Sequence, residues 1–119
     1  MPHSPADGIL AERKAAEYLE QKGYRILGKN VNYPRIGELD IVCEDRGTIV
    51  FVEVRYRKDK ELGDPLESIT KPKMRKLIKA ASMYLAGNRL EDMPARFDVV
   101  SVTDLGIGHI ENAFYGDFI

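Results

Sequence analysis

The sequence predicts an α/β fold, a mixed β-sheet packed against helices in the order α-β-β-β-α-β-β, formed by one domain over residues 1–119. Three observations predict it. Two segments, near residues 5–22 and 70–87, carry apolar residues at helical spacing. Between them, two runs rich in β-branched residues bracket a short polar turn, the pattern of a hairpin. Two further extended runs follow the second helix. A chain of 119 residues has room for one hydrophobic core and no second.

The first helix begins at Ser4-Pro5-Ala6-Asp7, with Ser4 as N-cap, Pro5 in the first turn and Asp7 completing a capping-box-like pair. It is expected to run through Lys22 and stop at Gly23, a residue suited to the left-handed C-terminal position. Residues 24–33 read as one extended strand with an irregularity around Gly28. Pro34-Arg35 turns the chain into the run Gly37–Cys43, and the turn Glu44-Asp45-Arg46-Gly47 leads to the run Thr48–Arg57. A charged loop occupies residues 58–69. The second helix starts near Thr70-Lys71-Pro72 and ends at Gly87, with Met74, Leu77, Ile78, Ala81, Tyr84 and Leu85 on its apolar face. Residues 96–102 and 107–114 supply the last strands.

Composition narrows the function classes. Hydrophobic residues make up 44% and charged residues 31%, ordinary for a folded soluble chain. One cysteine, Cys43, excludes an internal disulfide and a cysteine-based zinc site. No apolar run approaches the roughly 20 residues of a membrane helix, and the N-terminus lacks a signal-peptide pattern, so the expected compartment is the cytoplasm. The net charge of −1 and pI of 6.1 argue against a basic nucleic-acid binder. The average hides an asymmetry, however. Residues 55–79 hold nine basic and four acidic residues, net +5; the other nine basic and fifteen acidic residues give −6.

Charges also stand where a core is expected. Glu12 shares the face of the first helix with Gly8, Ile9, Ala15, Ala16 and Leu19, where an ionised carboxylate needs a partner or a cation. The bland alternative is pairing with a lysine. Strand alternation puts Glu38, Asp40 and Val42 on one face of the hairpin, with Leu39, Ile41 and Cys43 on the other. Ile49, Phe51, Glu53 and Arg55 share a face of the partner strand. Two registers keep the acids together, setting either Glu38 or Asp40 opposite Glu53. Opposed like charges destabilise a sheet, and hard oxygen ligands suit Mg²⁺ or Mn²⁺. The alternative is a solvated face whose acids pair with Arg55 and Arg57. On the second helix Lys71, Arg75, Lys76 and Lys79 fill the arc opposite the apolar stripe, either a solvated face or a grip on a polyanion.

The run GELDIV at residues 37–42 beside FVEVRYR at 51–57, with Glu12, GDPLESIT at 63–70, Lys71, Lys73 and RFDVV at 96–100, resembles the YraN-like family of small uncharacterised bacterial proteins, usually described as predicted endonucleases. The resemblance spans nearly the whole chain. It implies a restriction-endonuclease-like fold, the superfamily of the archaeal Holliday-junction resolvases, and an endonuclease dependent on Mg²⁺ or Mn²⁺ acting on nucleic acid, DNA foremost. Asp40 and Glu53 match that superfamily's metal-binding acids and Glu12 its first-helix acid, with Glu38 as a further candidate ligand. Arg55 stands where the superfamily has lysine. A lysine can activate water when deprotonated, whereas arginine stays charged and is left with stabilising the phosphate. Arg57, Lys71, Lys73, Arg75, Lys76 and Lys79 are the expected nucleic-acid contacts. Two other readings stay open: a nucleic-acid-binding module of the same fold without catalysis, and a protein-interaction module. The resolvase relatives pair, which leaves a homodimer open. Cys43 reads as a small core residue, His109 as a residue without a partner, and Asp98 as either a structural strand residue or a neighbour of the site.

Overall fold

The computed structural model describes residues 5–57 and 69–114. Ser4, His3 and residues 58–68, with most of the GDPLESIT segment, lie outside the described residues. The elements are α1 (Pro5–Gln21), β1 (Arg25–Tyr33), β2 (Gly37–Asp45), β3 (Thr48–Tyr56), α2 (Lys71–Gly87), β4 (Ala95–Thr103) and β5 (Gly106–Phe114). The five strands form one sheet in sequence order, β1-β2-β3-β4-β5. β3 and β4 run parallel, and the other neighbours are antiparallel. This is the mixed α/β order that the sequence predicts. Only the β3-to-β4 connection carries a helix, because parallel neighbours need a crossover long enough to return the chain to the same end.

The sheet has one helix layer on each face. α1 packs through Ala11, Ala15, Ala16 and Leu19 onto Ile41, Cys43, Val50, Val52, Val100 and Val102. α2 packs through Leu77, Ala80, Ala81 and Tyr84 onto Leu39, Val42, Ile49, Phe51, Val99 and Phe114. β3 lies mid-sheet and is covered on both faces, which is why Ile49–Val52 is an unbroken apolar run.

Local chemistry sets the boundaries. α1 ends at Gln21, one residue before the expected Lys22, and Gly23 takes the left-handed φ of +93°. The irregularity expected near Gly28 is a register shift between Ile26 and Gly28. The β2–β3 turn is tighter than the sequence suggests. Arg46 and Gly47, both at positive φ, form a two-residue connection, so Glu44 and Asp45 belong to the strand. The Thr70 side chain caps α2 by accepting from the Lys73 N–H at 3.3 Å.

Two expectations about faces need correction. Ile9 is not part of the buried stripe of α1; it is 63% exposed, and the stripe runs along Ala11, Ala15 and Leu19, with Glu12 at its margin. Leu39 does not share a face with Ile41, but packs with Val42 under α2. The β2–β3 pairing extends only as far as Ile41↔Val52, whereas β2 stays paired to β1 down to Gly37. Having lost one neighbour, β2 becomes half of a two-stranded ribbon, which twists more strongly and turns Leu39 to the other side.

Gly37 is where that ribbon meets α2. A Cβ there would lie 2.9 Å from the backbone oxygen of Lys76, which cannot swing away as a side chain could. Gly37→Ala is therefore expected to cost about 1–3 kcal/mol of stability, measured by urea denaturation, because it forces the hairpin off the helix.

Candidate metal centre and nucleic-acid interface

The fork between β2 and β3 creates the site. Continuing the observed register one step beyond Ile41↔Val52 sets Asp40 beside Glu53, the second of the two arrangements left open by the sequence. The ladder has ended there, and the Asp40 carboxylate takes the place of a backbone acceptor: the Val54 N–H donates to Asp40 Oδ2 at 2.9 Å. Glu53 is buried, 5% exposed, on the α2 face. Arg55 Nη2 lies 3.2 Å and Lys73 Nζ 3.6 Å from its Oε2. Its other oxygen, Oε1, is buried with no hydrogen-bond donor, and Arg55 Nε is likewise unpartnered.

The electrostatics follow from this crowding. Burial, then the Glu53 charge and carboxyl, push the Asp40 pKa up to about 7, against smaller opposing effects of the Val54 N–H and Lys73. Glu12 reaches the cluster from α1. Burial and the charges of Asp40 and Glu38 raise its pKa, while a hydrogen bond from the Asn30 side chain and the charge of Lys29 oppose the rise. Glu38 itself is exposed at the margin. The Glu12 charge thus feels Asp40 and Glu38, and Asp40 feels Glu53, with Asp40 and Glu53 as the tight pair.

Do these residues fit a divalent cation? Among the described residues, no three acidic, histidine or cysteine side chains converge as a closed ligand set. A hard cation such as Mg²⁺ does not need one, since it keeps several waters and binds through one or two carboxylates. The buried, donorless Glu53 Oε1 beside the Asp40 carboxyl is an acceptor pair that either a proton or a cation satisfies. The donor set fits.

Of the basic residues, Lys71, Arg75, Lys76 and Lys79 are exposed along α2, whereas Lys73 is half-buried and turned to Glu53. The Arg57 backbone extends the β4 pairing by donating to Val102 O at 2.9 Å. The sequence reading missed Asn30 and Lys29. Asn30 stands at φ +51°, a conformation asparagine adopts at low cost, and the irregular strand at Gly28 was the one available signal.

A second polar cluster lies on the opposite, α1 face. Asp98 is fully buried, with Arg96 Nε at 3.0 Å, the Asn112 N–H at 3.0 Å and His109 Nε2 at 2.7 Å. The His109 side chain is 4% exposed, and its Nδ1 lies 3.1 Å from Lys22 Nζ and 3.2 Å from the Tyr18 hydroxyl. Arg96 also donates to the Tyr24 hydroxyl at 2.9 Å, and that hydroxyl donates to Glu111 at 3.1 Å. Burial pulls the Asp98 pKa up, but the bonds from His109, Arg96 and Asn112 outweigh it and hold the carboxyl below its ordinary range. The expectation that His109 has no partner is corrected, and Asp98 belongs to this network rather than to the acid pair. Cys43 is buried as expected, its thiol pushed up to about 12 by burial and the nearby Asp98 charge.

Among the described residues no helix is long and apolar enough to cross a membrane. The sequence pattern of the uncharacterised protein family UPF0102 matches residues 11–102. A UPF0102 protein of Persephonella marina is 48% identical over 111 residues, 93% of this chain and 95% of its own length. One from Lachnoclostridium phytofermentans is 47% identical over 109 residues, covering 91% and 92%. One from Vibrio cholerae is 42% identical over 115 residues, covering 93% of each. The matched span takes in α1 from Ala11 onward, the β2–β3 fork, α2 and β4 as far as Val102, so the acid pair lies inside it: the chain belongs to the uncharacterised protein family UPF0102.

Proposed function

We propose that the protein hydrolyses phosphodiester bonds of nucleic acid, DNA foremost, using Mg²⁺ or Mn²⁺ held at the β2–β3 fork. The observation that carries the reading is the buried Glu53 Oε1, which has no donor and stands beside Asp40, a cost that a folded chain rarely keeps without use. Asp40 and Glu53 would hold the cation, with Glu12 and Glu38 supplying further negative charge. Bound there, the ion would lower the pKa of a coordinated water and polarise a phosphate oxygen. The chain's own residues do the rest. The Val54 N–H fixes the Asp40 carboxylate, and Arg55 holds the Glu53 carboxylate while keeping a permanent positive charge beside the reacting phosphate. Lys71, Arg75, Lys76 and Lys79 meet the flanking backbone, which positions a strand without reading its bases.

Cleavage of branched, single-stranded and duplex DNA is expected with Mg²⁺ or Mn²⁺ and is expected to vanish in Glu53→Gln. Activity that survives this substitution overturns the proposal. A second reading, a binding module without turnover, is favoured by one observation: position 55 is an arginine committed to Glu53. Salt-dependent DNA binding with no metal-dependent cleavage would select it.

A further inference from the structure

The two oxygens of Glu53 are unequally served. Oε2 has two cations, Arg55 and Lys73, and Oε1 has no donor. The two cations differ in freedom. The Arg55 side chain is 28% exposed, with its Nε buried, so it is the more enclosed of the two cations. The Lys73 side chain is 41% exposed, and its ammonium is a compact charge on a flexible stem. Its backbone is anchored in the first turn of α2, where the Thr70 side chain accepts from its N–H. Only the outer part of the side chain is therefore free to move.

Resting on the metal-site reading above, we propose that Lys73 is a mobile counter-ion of the acid pair, seated on Glu53 while the site lacks a metal and released to a substrate phosphate when a divalent cation takes the carboxylates. Cation binding at Oε1 withdraws charge from Oε2, which weakens the longer and more exposed of its two ion pairs first. The freed ammonium stays within a side chain's reach of the fork. It thereby provides a lysine at the reacting phosphate, which position 55 does not. Lys73 is thus set apart from Lys71, Arg75, Lys76 and Lys79, whose exposed positions suit them to the flanking backbone.

Calorimetry of Mn²⁺ binding at about pH 8, followed by binding of a short DNA oligonucleotide with Ca²⁺ in place of the reactive metal, tests this without any turnover. Lys73→Met is expected to bind Mn²⁺ roughly two- to fivefold more tightly than the wild type, because a competing cation is gone. It is expected to bind the oligonucleotide more weakly in Ca²⁺ by a similar factor, and Lys73→Arg to restore oligonucleotide binding. Lys14→Met, on the exposed face of α1, removes the same charge elsewhere and is expected to change neither affinity. If the wild type binds Mn²⁺ and Lys73→Met binds it equally or less tightly, the counter-ion role is overturned while the metal site stands. If the wild type binds no Mn²⁺, the metal site and the counter-ion role fall together.

Discussion

Replacing Asp98 by alanine is expected to cost about 3–5 kcal/mol of unfolding free energy, the largest loss of any substitution considered. The carboxylate is fully buried and accepts from the Arg96 guanidinium, the Asn112 backbone and His109. Its removal leaves a mostly buried guanidinium whose remaining acidic partner among the described residues is Asp45, 3.3 Å away. It also removes the acceptor that the Asn112 N–H has on Asp98, beside the β4–β5 register shift between Phe97 and Val99. Urea denaturation at neutral pH measures the loss, and a loss below about 1 kcal/mol would contradict this account. The pH dependence has a definite sign. The folded Asp98 pKa lies below its unfolded value, so its contribution is fully present above roughly pH 4 and fades as the pH falls through the lower, folded value. In wild type this is expected as steepening acid destabilisation, which Asp98→Asn should flatten.

Asp40→Asn is expected to do the reverse, stabilising the metal-free protein at pH 8 by on the order of 2 kcal/mol while abolishing Mn²⁺ binding. Folding raises the Asp40 pKa from 3.8 to about 7 through burial and Glu53. The folded form therefore binds more protons than the unfolded one between those values, and stability falls as the pH rises through that window. The amide keeps an oxygen for the Val54 N–H but carries no charge toward Glu53. The gain in melting temperature should be absent near pH 4, grow to about pH 7 and stay level above it. Added Mn²⁺ should raise the melting temperature of the wild type and leave the variant unmoved. A variant less stable than wild type at pH 8 would show that the two carboxylates do not oppose one another in the fold.

Much of this was legible in the residues. The helix-strand order follows from period and punctuation: Gly23 at positive φ, Thr70 as a cap, β-branched runs on either side of Arg46-Gly47. Asp40 and Glu53 stood out because charges at core positions break the pattern around them. Ile9 and Leu39 were misplaced because ideal periodicity knows nothing of where a neighbouring element ends. Ile9 lies beyond the part of α1 that the sheet covers, and Leu39 beyond the point where β2 loses β3.

Partners distant in sequence were not legible at all. His109 meets Lys22 across 87 positions and Tyr18 across 91, and no local pattern encodes such a pairing. The same holds for Lys73, which by helical periodicity is one more basic residue and in space is a cation on Glu53.

The sequence by itself determined the order of elements, most of the apolar faces and the singling out of Asp40 and Glu53, because each depends on neighbours within a turn or a strand. Only the tertiary structure decided between the two hairpin registers, set Lys73 on Glu53 apart from the exposed basic residues of α2, and placed Asp98 in a network of its own. Those outcomes depend on where β2 leaves β3 and on which helix end lies over the fork, and both are set by packing between segments far apart in the chain.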